Sequence, residues 1–197
     1  MAKSSSAVTS VQVDNAEGPV YYNPSMTVDV SYSTDFSAAG AGWLDLGYGS
    51  TDGAKIEQKA DSSDKKVWGA NFGTTYSNFK DTATIHAASY RSKNTLSVLF
   101  GAGNVDSTNG ILHAKVKSRQ GTKGTFVIVG RDDEGNKMLW IYRGQTSPEV
   151  SYDLKEDDII SYDLVISGIS QSDGTTSEMY LSDPEYVATG STSGSGH

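Results

Sequence analysis

The strongest constraint on the fold is a hydrophobic alternation with a period of two residues. Met26, Val28 and Val30 alternate with polar residues, and Leu164 and Ile166 do so near the other end of the chain. The same alternation recurs at 11–13, 44–48, 95–100, 111–116, 126–128, 139–141 and 150–154. Successive side chains of a strand point to opposite faces, so each segment predicts a strand with one apolar face. Eight or more short strands of this kind predict an all-β fold, a β-sandwich.

Turn-forming residues separate these segments. Asn109-Gly110, 133–136 and Ser172-Asp173-Gly174 combine Asn, Asp and Gly in the way that tight turns require. The stretch 62–79 has neither a strand period nor a helix period, and we leave it open as a loop or a short helix. The predicted fold is therefore a sandwich with a short irregular or helical insertion.

The length of 197 residues suits one domain. We expect that domain to span residues 8–185. The Ser-rich start, 1–7, and the Gly/Ser-rich end, 186–197, are expected to be flexible, because such tracts bury too little apolar surface to offset their ordering entropy. The last segment is typical of a linker left by a purification tag.

Composition excludes several classes of function. The chain has no Cys, which excludes disulfide scaffolds, thiolate metal sites and cysteine nucleophiles. Its net charge of -8 argues against binding to nucleic acid or to anionic membranes, since phosphate contacts need concentrated positive charge. No apolar run is long enough to insert into a membrane.

Metal and catalytic sites are not indicated by the residue spacing. His86 and His113 lie far apart on separate predicted strands, and the acidic turns lack the ligand spacing of an EF-hand loop. Two carboxylates from distant strands could still converge as in a glycosidase. Most acids, however, stand beside Gly, Asn or Ser in turns, so we expect a protein that is not an enzyme and carries no metal or cofactor.

The polar faces of the predicted strands carry the candidate binding site. If the leucines of 44–46 point to the core, Trp43 and Asp45 point outward. The same reasoning places His86, Ala88 and Tyr90 outside on the next long strand, and Ser97 and Leu99 outside on 95–100. A flat face with aromatic and small residues is typical of a protein-binding patch.

Three stretches resemble a cohesin domain of a cellulosome scaffoldin. They are Ile85–Tyr90, Thr95–Gly101 and Asn109–Ser118, where a strand ending in Tyr precedes an apolar strand ending in Leu-Phe and then an Asn-Gly turn. Upstream, Leu46-Gly47-Tyr48 is similar to the strand that ends in a Leu-x-Tyr turn in that family. The resemblance covers about a third of the chain in separate pieces, and it depends on the order and spacing of those pieces.

This resemblance implies a jelly-roll sandwich of about nine strands that binds a dockerin and has no catalytic activity. Any calcium would sit on the dockerin, and the module would be extracellular, secreted or attached to a bacterial cell surface, where it assembles polysaccharide-degrading enzymes. Mapped onto this sequence, the binding face includes Ala41, Trp43, Ala88, Tyr90, Ser97 and Leu99. Ala41 and Trp43 replace the Asn and Asp of the best-known cohesin type.

Two other functions are compatible with a sandwich of this composition. A carbohydrate-binding module would stack sugar rings on exposed aromatics. The candidates for it are Trp43, Trp68 and Trp140, with Tyr21, Tyr22 and Tyr76. A bacterial surface adhesin domain would bind a host protein.

Overall fold

The computed structural model describes residues 12–13, 20–47, 49–67, 70–87, 91–152 and 162–183. Over these residues the predicted all-β, sandwich-like fold is confirmed, because every strand pairing is antiparallel. The strands are β1 Gln12–Val13, β2 Val20–Asn23, β3 Leu44–Asp45, β4 Gly49–Val67, β5 Ala70–Ala87, β6 Val105–Thr108, β7 Ile111–Ala114, β8 Lys123–Arg131, β9 Lys137–Thr146, β10 Tyr162–Gly168 and β11 Ser177–Tyr180. One α-helix, α1, spans Lys93–Phe100, and a 3-10 turn follows at Ala102–Asn104.

Nine of the described strands form one sheet in the order β3-β2-β8-β9-β10-β5-β4. β1 pairs with β8 beside β2, and β11 pairs with β9 beyond the end of β10. β6 and β7 form a separate hairpin whose turn is Asn109-Gly110, with φ of 52° and 77°. These are the left-handed angles that a two-residue hairpin turn needs, so the predicted turn is confirmed.

The central strands β8 and β9 are buried on both sides. On β8, Phe126 and Ile128 pack into one hydrophobic cluster, and Val127 and Val129 pack into another. Alternation places these clusters on opposite faces of the sheet. Helix α1 contributes to the first cluster, and the irregular segment 28–43 contributes to the second. Each fully buried side chain of this size stabilises the fold by about 2 kcal/mol.

The segment 95–100 is a helix, so the strand predicted there is wrong. The Ser92 side chain accepts a hydrogen bond from the Thr95 backbone N–H at 3.3 Å, which caps the helix N-terminus. Leu96, Leu99 and Phe100 then fall on one helical face and pack into the first cluster. Six residues of alternation are too few to separate the two periods, and the cap residue at 92 is the feature that distinguishes them.

The stretch 62–79 is neither a loop nor a short helix over its described residues. It belongs to the long antiparallel hairpin of β4 and β5, which are paired from Gly49 with Ala87 to Val67 with Ala70. Its sequence shows no alternation because its described side chains, at 62–64 and 74–79, are exposed on both faces.

Two other predicted strands are not formed over their described residues. Residues 26–32 form irregular structure with a turn in which the Thr34 N–H donates to the Ser31 carbonyl at 3.0 Å. Val30 is nevertheless buried in the second cluster and Val28 packs against it, whereas Tyr32, expected on the same apolar face, is exposed. Residues 150–152 are irregular too, and the rest of that predicted strand lies outside the described part of the chain.

Candidate functional site: the β4–β5 arm and its root

The predicted binding residues that the structure describes do not share one exposed face. Trp43 packs edge-on against Phe36, with ring centroids 5.0 Å apart, and belongs to the second cluster. Leu99 is 2% exposed and belongs to the first cluster, so its predicted outward orientation is wrong. Since the two clusters lie on opposite faces of the sheet, Trp43 and Leu99 cannot contact one partner together.

The remaining predicted site residues serve local structure. Ala41 is exposed, and its carbonyl accepts a hydrogen bond from the Asn23 side chain at 3.3 Å. Asp45 is exposed and accepts a hydrogen bond from the Gly47 N–H at 2.6 Å. Ser97 is half-buried on helix α1 rather than on a strand. Ala88, Tyr90 and Trp68 lie outside the described residues.

His86 forms a cross-strand pair with Asp163 on β10. Its Nδ1 lies 2.6 Å from Asp163 Oδ1, and the Ser151 hydroxyl donates to the other carboxylate oxygen at 3.4 Å. A hydrolytic triad requires the hydroxyl to meet the imidazole. Here the hydroxyl meets the carboxylate instead, so the cluster has the wrong connectivity for that chemistry. Among the described residues, His, Asp and Glu side chains form no group of three that could hold a metal ion.

The most distinctive feature of the described structure is an arm, residues 59–80, formed by the outer part of the β4–β5 hairpin. β10 pairs with β5 only from Ala87 to Thr82, so beyond that point β5 has β4 as its strand neighbour. The described side chains at 59–64 and 74–80 are exposed. From Lys59 to Val67 an extended strand spans about 30 Å. The arm therefore projects from the body of the protein as a two-stranded ribbon.

A bulge sets the orientation of two aromatic side chains on the arm. Lys59 pairs with Lys80 but Asp61 pairs with Ser77, so Asn78 and Phe79 of β5 oppose a single residue of β4. Asn78 has φ of 53°, and its side chain donates to Asp61 Oδ2 at 2.8 Å. The extra residue reverses the alternation.

The bulge brings Phe79 and Tyr76 to the same side of the ribbon. Phe79 is 76% exposed and Tyr76 is 63% exposed. Their side of the ribbon continues the sheet face on which Ala83 and Ile85 reach the first cluster. The arm thus extends a core-facing surface out into solvent, where nothing in the described structure covers it.

The root of the arm holds a cavity of about 500 Å³. The hairpin lines it with residues 58–60 and 79–81, which include Lys59 and Lys80 beside Phe79 and Asp81. Ser170, Gly174 and Thr176 line it from the loop that joins β10 to β11. After this loop, β11 pairs with β9, whereas the arm continues outward, so the arm and β11 diverge from Asp81 onward. The cavity lies in the angle between them.

Asp81 is a buried acid at this cavity, 6% exposed. Its Oδ2 accepts hydrogen bonds from the hydroxyls of Thr176, at 2.8 Å, and of Ser177. Its Oδ1 is buried and has no hydrogen-bond partner among the described residues. Burial, and next the charge of Asp81, raise the pKa of the neighbouring Tyr142 phenol to about 12. Lys59 and Lys80 line the same cavity, but no described lysine or arginine forms an ion pair with Asp81, so hydroxyl groups are its hydrogen-bond donors among the described residues.

Sequence reasoning missed both the arm and its root. Strand prediction relied on one buried face, which the arm does not have. In the sequence, Asp81 follows Lys80, and nothing there indicates that its carboxylate is buried. A usable sign was present in 74–79, where Thr, Tyr and Phe favour strands although no alternation appears.

Within the described part of the chain, the helices are too short to cross a membrane. Comparison with known families identifies one match, a family of phage tail tube proteins, whose model covers residues 5–190 of the 197. No curated protein matches the chain at a significant level.

This match overturns the cohesin resemblance, and with it the dockerin partner and the cellulosome function. The resemblance depended on a strand at Thr95–Gly101, where the structure has helix α1. The two alternatives fall as well: Trp43 and Trp140, candidates for a sugar-binding platform, pack against the two hydrophobic clusters, and the family is not one of adhesins. The family model covers nearly the whole chain, and the chain belongs to the phage tail tube protein family.

Proposed function

We propose that this chain is the repeating structural subunit of a phage tail tube, and that it acts by self-association rather than by catalysis. Its place would be the virion, not a bacterial secretion product or cell surface. The family membership supports this proposal, and the arm is the observation in the molecule that carries it.

A tube of identical subunits requires contacts that join two different patches of the surface. A contact between identical patches closes a dimer, whereas a contact between unlike patches can repeat without end. A projecting arm suits the second kind, because it can reach a neighbouring copy while its own copy offers the same arm to the next one.

The arm has the groups that such a contact would use. Over the described residues, the outer edge of β4 has no strand partner, and neither does the outer edge of β5 beyond Thr82. Unpaired strand edges are templates for pairing with another chain. The aromatic rings of Phe79 and Tyr76 add apolar area that a neighbour would remove from water.

The experiment is to replace residues 60–79 with Asn-Gly, which joins the paired Lys59 and Lys80 by a two-residue turn. We expect the full chain to form tubes or large oligomers at high concentration, observed by negative-stain electron microscopy and analytical ultracentrifugation. The shortened chain should remain monomeric and melt at nearly the same temperature, because the described arm side chains are exposed. Tubes formed by the shortened chain, or a monomeric full chain at every concentration, would refute the proposal.

The proposal requires no metal or cofactor. Assembly in the presence of EDTA should therefore equal assembly without it. A chelator that abolishes tube formation would show that the contact depends on an ion.

A further inference from the structure

The root of the arm has an unmet requirement for positive charge. The carboxylate of Asp81 is buried, and its Oδ1 has no partner among the described residues. Removing a carboxylate from water is costly unless a cation or hydrogen-bond donors compensate it. The hydroxyls of Thr176 and Ser177 on Oδ2, together with the neighbouring Tyr142 phenol, supply only part of that compensation, since Oδ1 stays unpartnered. A ligand that completes the site would bring a donor, preferably a charged one, into the cavity.

The approach to this acid is aromatic. Phe79 lines the cavity, and Tyr76 lies further out on the same side of the arm. We call the surface formed by Tyr76, Phe79 and Asp81 the arm-root ledge. It fits a chain segment that presents an exposed apolar side chain next to a cationic one.

One segment of this chain has that chemistry, the connection from β7 to β8. This connection, residues 115–122, carries three cations and no acid, although the chain as a whole has a net charge of -8. Val116 is 76% exposed, and both of its neighbours, Lys115 and Lys117, are exposed lysines. Further along, Arg119 Nη2 is buried without a partner among the described residues.

The segment is held in place at both ends. The Lys115 N–H donates to the Asn104 carbonyl at 2.8 Å, and the Thr122 hydroxyl donates to the Val98 carbonyl at the end of α1 at 2.7 Å. A fixed loop loses little conformational entropy on binding, which favours its use as a docking element. In the folded single copy it does not reach Asp81, whose Oδ1 stays unpartnered.

We propose that segment 115–119 of one copy docks on the arm-root ledge of a second copy. Val116 packs against Phe79 and Tyr76, and the ammonium group of Lys115 or Lys117 reaches Asp81. This inference depends on the proposed self-association and specifies the two surfaces that meet. They are unlike patches, so each copy receives one neighbour and docks on another, and the contact can propagate.

Disulfide trapping tests the contact directly, since the chain has no Cys of its own. Phe79→Cys and Val116→Cys are made in separate copies, mixed under tube-forming conditions and oxidised. Both positions are highly exposed, so the fold should tolerate the changes. We expect a disulfide-linked heterodimer, identified by intact mass, at a yield several-fold above that of a control mixture of Phe79→Cys with Tyr32→Cys. Tyr32 is also exposed, but it lies two residues along the chain from Val30 of the second cluster, away from segment 115–119 in sequence. Equal yields would overturn the proposal.

Charge variants test the role of Asp81. Asp81→Asn and Lys115→Glu/Lys117→Glu should each raise the concentration needed for assembly at least several-fold, while the melting temperature of the lysine variant stays unchanged. Lys93→Glu, an exposed lysine outside the segment, should have a smaller effect. Wild-type tubes with no preferred crosslink would refute this contact alone, whereas a wild type that never assembles would refute the proposed function. Assembly lost in EDTA and restored by calcium would assign Asp81 to a metal ion instead, against this proposal.

Discussion

Tyr142 lies in the interior beside the carboxylate of Asp81, and this placement ties the stability of the protein to pH. The folded state holds the phenol proton more tightly than the unfolded chain, because the pKa of Tyr142 is raised from about 10 to about 12. The free energy of unfolding should therefore fall as the pH rises from 10 towards 12. Tyr142→Phe removes this contribution, and its stability should fall less steeply over that window. Urea denaturation at several pH values measures both curves, and parallel curves would contradict the assignment.

Leu99 provides a test of the helix in place of the predicted strand. Leu99→Ala removes a side chain from the first cluster and should lower the free energy of unfolding by about 3 kcal/mol. Ser97→Ala, two residues away and half-buried, should change it by less than about 0.5 kcal/mol. The predicted strand would place Leu99 and Ser97 together on the outer face, and both substitutions would then cost less than about 0.5 kcal/mol. Chemical denaturation of the two variants distinguishes the two structures.

At the scale of elements, the bulge at Asn78 determines whether Tyr76 and Phe79 share a side of the arm. Its φ of 53° is one that Gly and Asn adopt easily and β-branched residues do not. Asn78→Val should therefore disturb the bulge and weaken assembly, although the melting temperature stays nearly unchanged because the arm side chains described are exposed. Asn78→Gly should assemble nearly as well as the wild type. Sedimentation of both variants at matched concentration provides the comparison, and equal assembly would show that the bulge is unimportant.

The elements differ in how far they could be predicted from sequence. β8, β9 and β10 were anticipated because apolar alternation reports burial, and burial is what holds them in the sheet. The arm shows no apolar alternation, because its described side chains are exposed and no face that they form is buried in the single copy. Helix α1 was missed because its apolar residues satisfy both periods over so short a length. The predicted binding face was wrong for the same reason. Leu99 was expected to point outward from a strand at 95–100, but it lies in helix α1 and is buried.

At the scale of the whole molecule, each copy in the proposed tube needs two unlike patches, one to dock on a neighbour and one to receive the next copy. A copy that lacks the receiving patch should therefore stop growth of the tube. A copy whose residues 60–79 are replaced by Asn-Gly still carries segment 115–119 but can no longer receive it. Added as a minor fraction, such copies should occupy the growing ends and shorten the tubes in proportion to their share. Length distributions from electron micrographs measure this. Unchanged lengths would contradict a contact that runs from arm to segment.

The family was not recognised from the sequence alone. The features that set this chain apart are those assigned to the proposed contact between copies, and they leave no pattern of buried residues in the sequence. Alternation and turn residues describe a sheet that many unrelated β-proteins share, so short matches in order and spacing pointed to a cohesin. What distinguishes this chain is a polar ribbon and an unneutralised buried acid. Both are costs for one folded copy, and the proposed contact with a second copy would offset them.

The small apolar area of the arm has a kinetic consequence. Two aromatic rings and a single buried charge provide only a modest attraction per contact, so pairs of copies should dissociate readily. Polymerisation would then begin slowly, show a lag and require a threshold concentration, while a pre-formed end that offers several contacts at once would capture copies efficiently. Newly made subunits could thus accumulate in solution and wait for a nucleus before they polymerise.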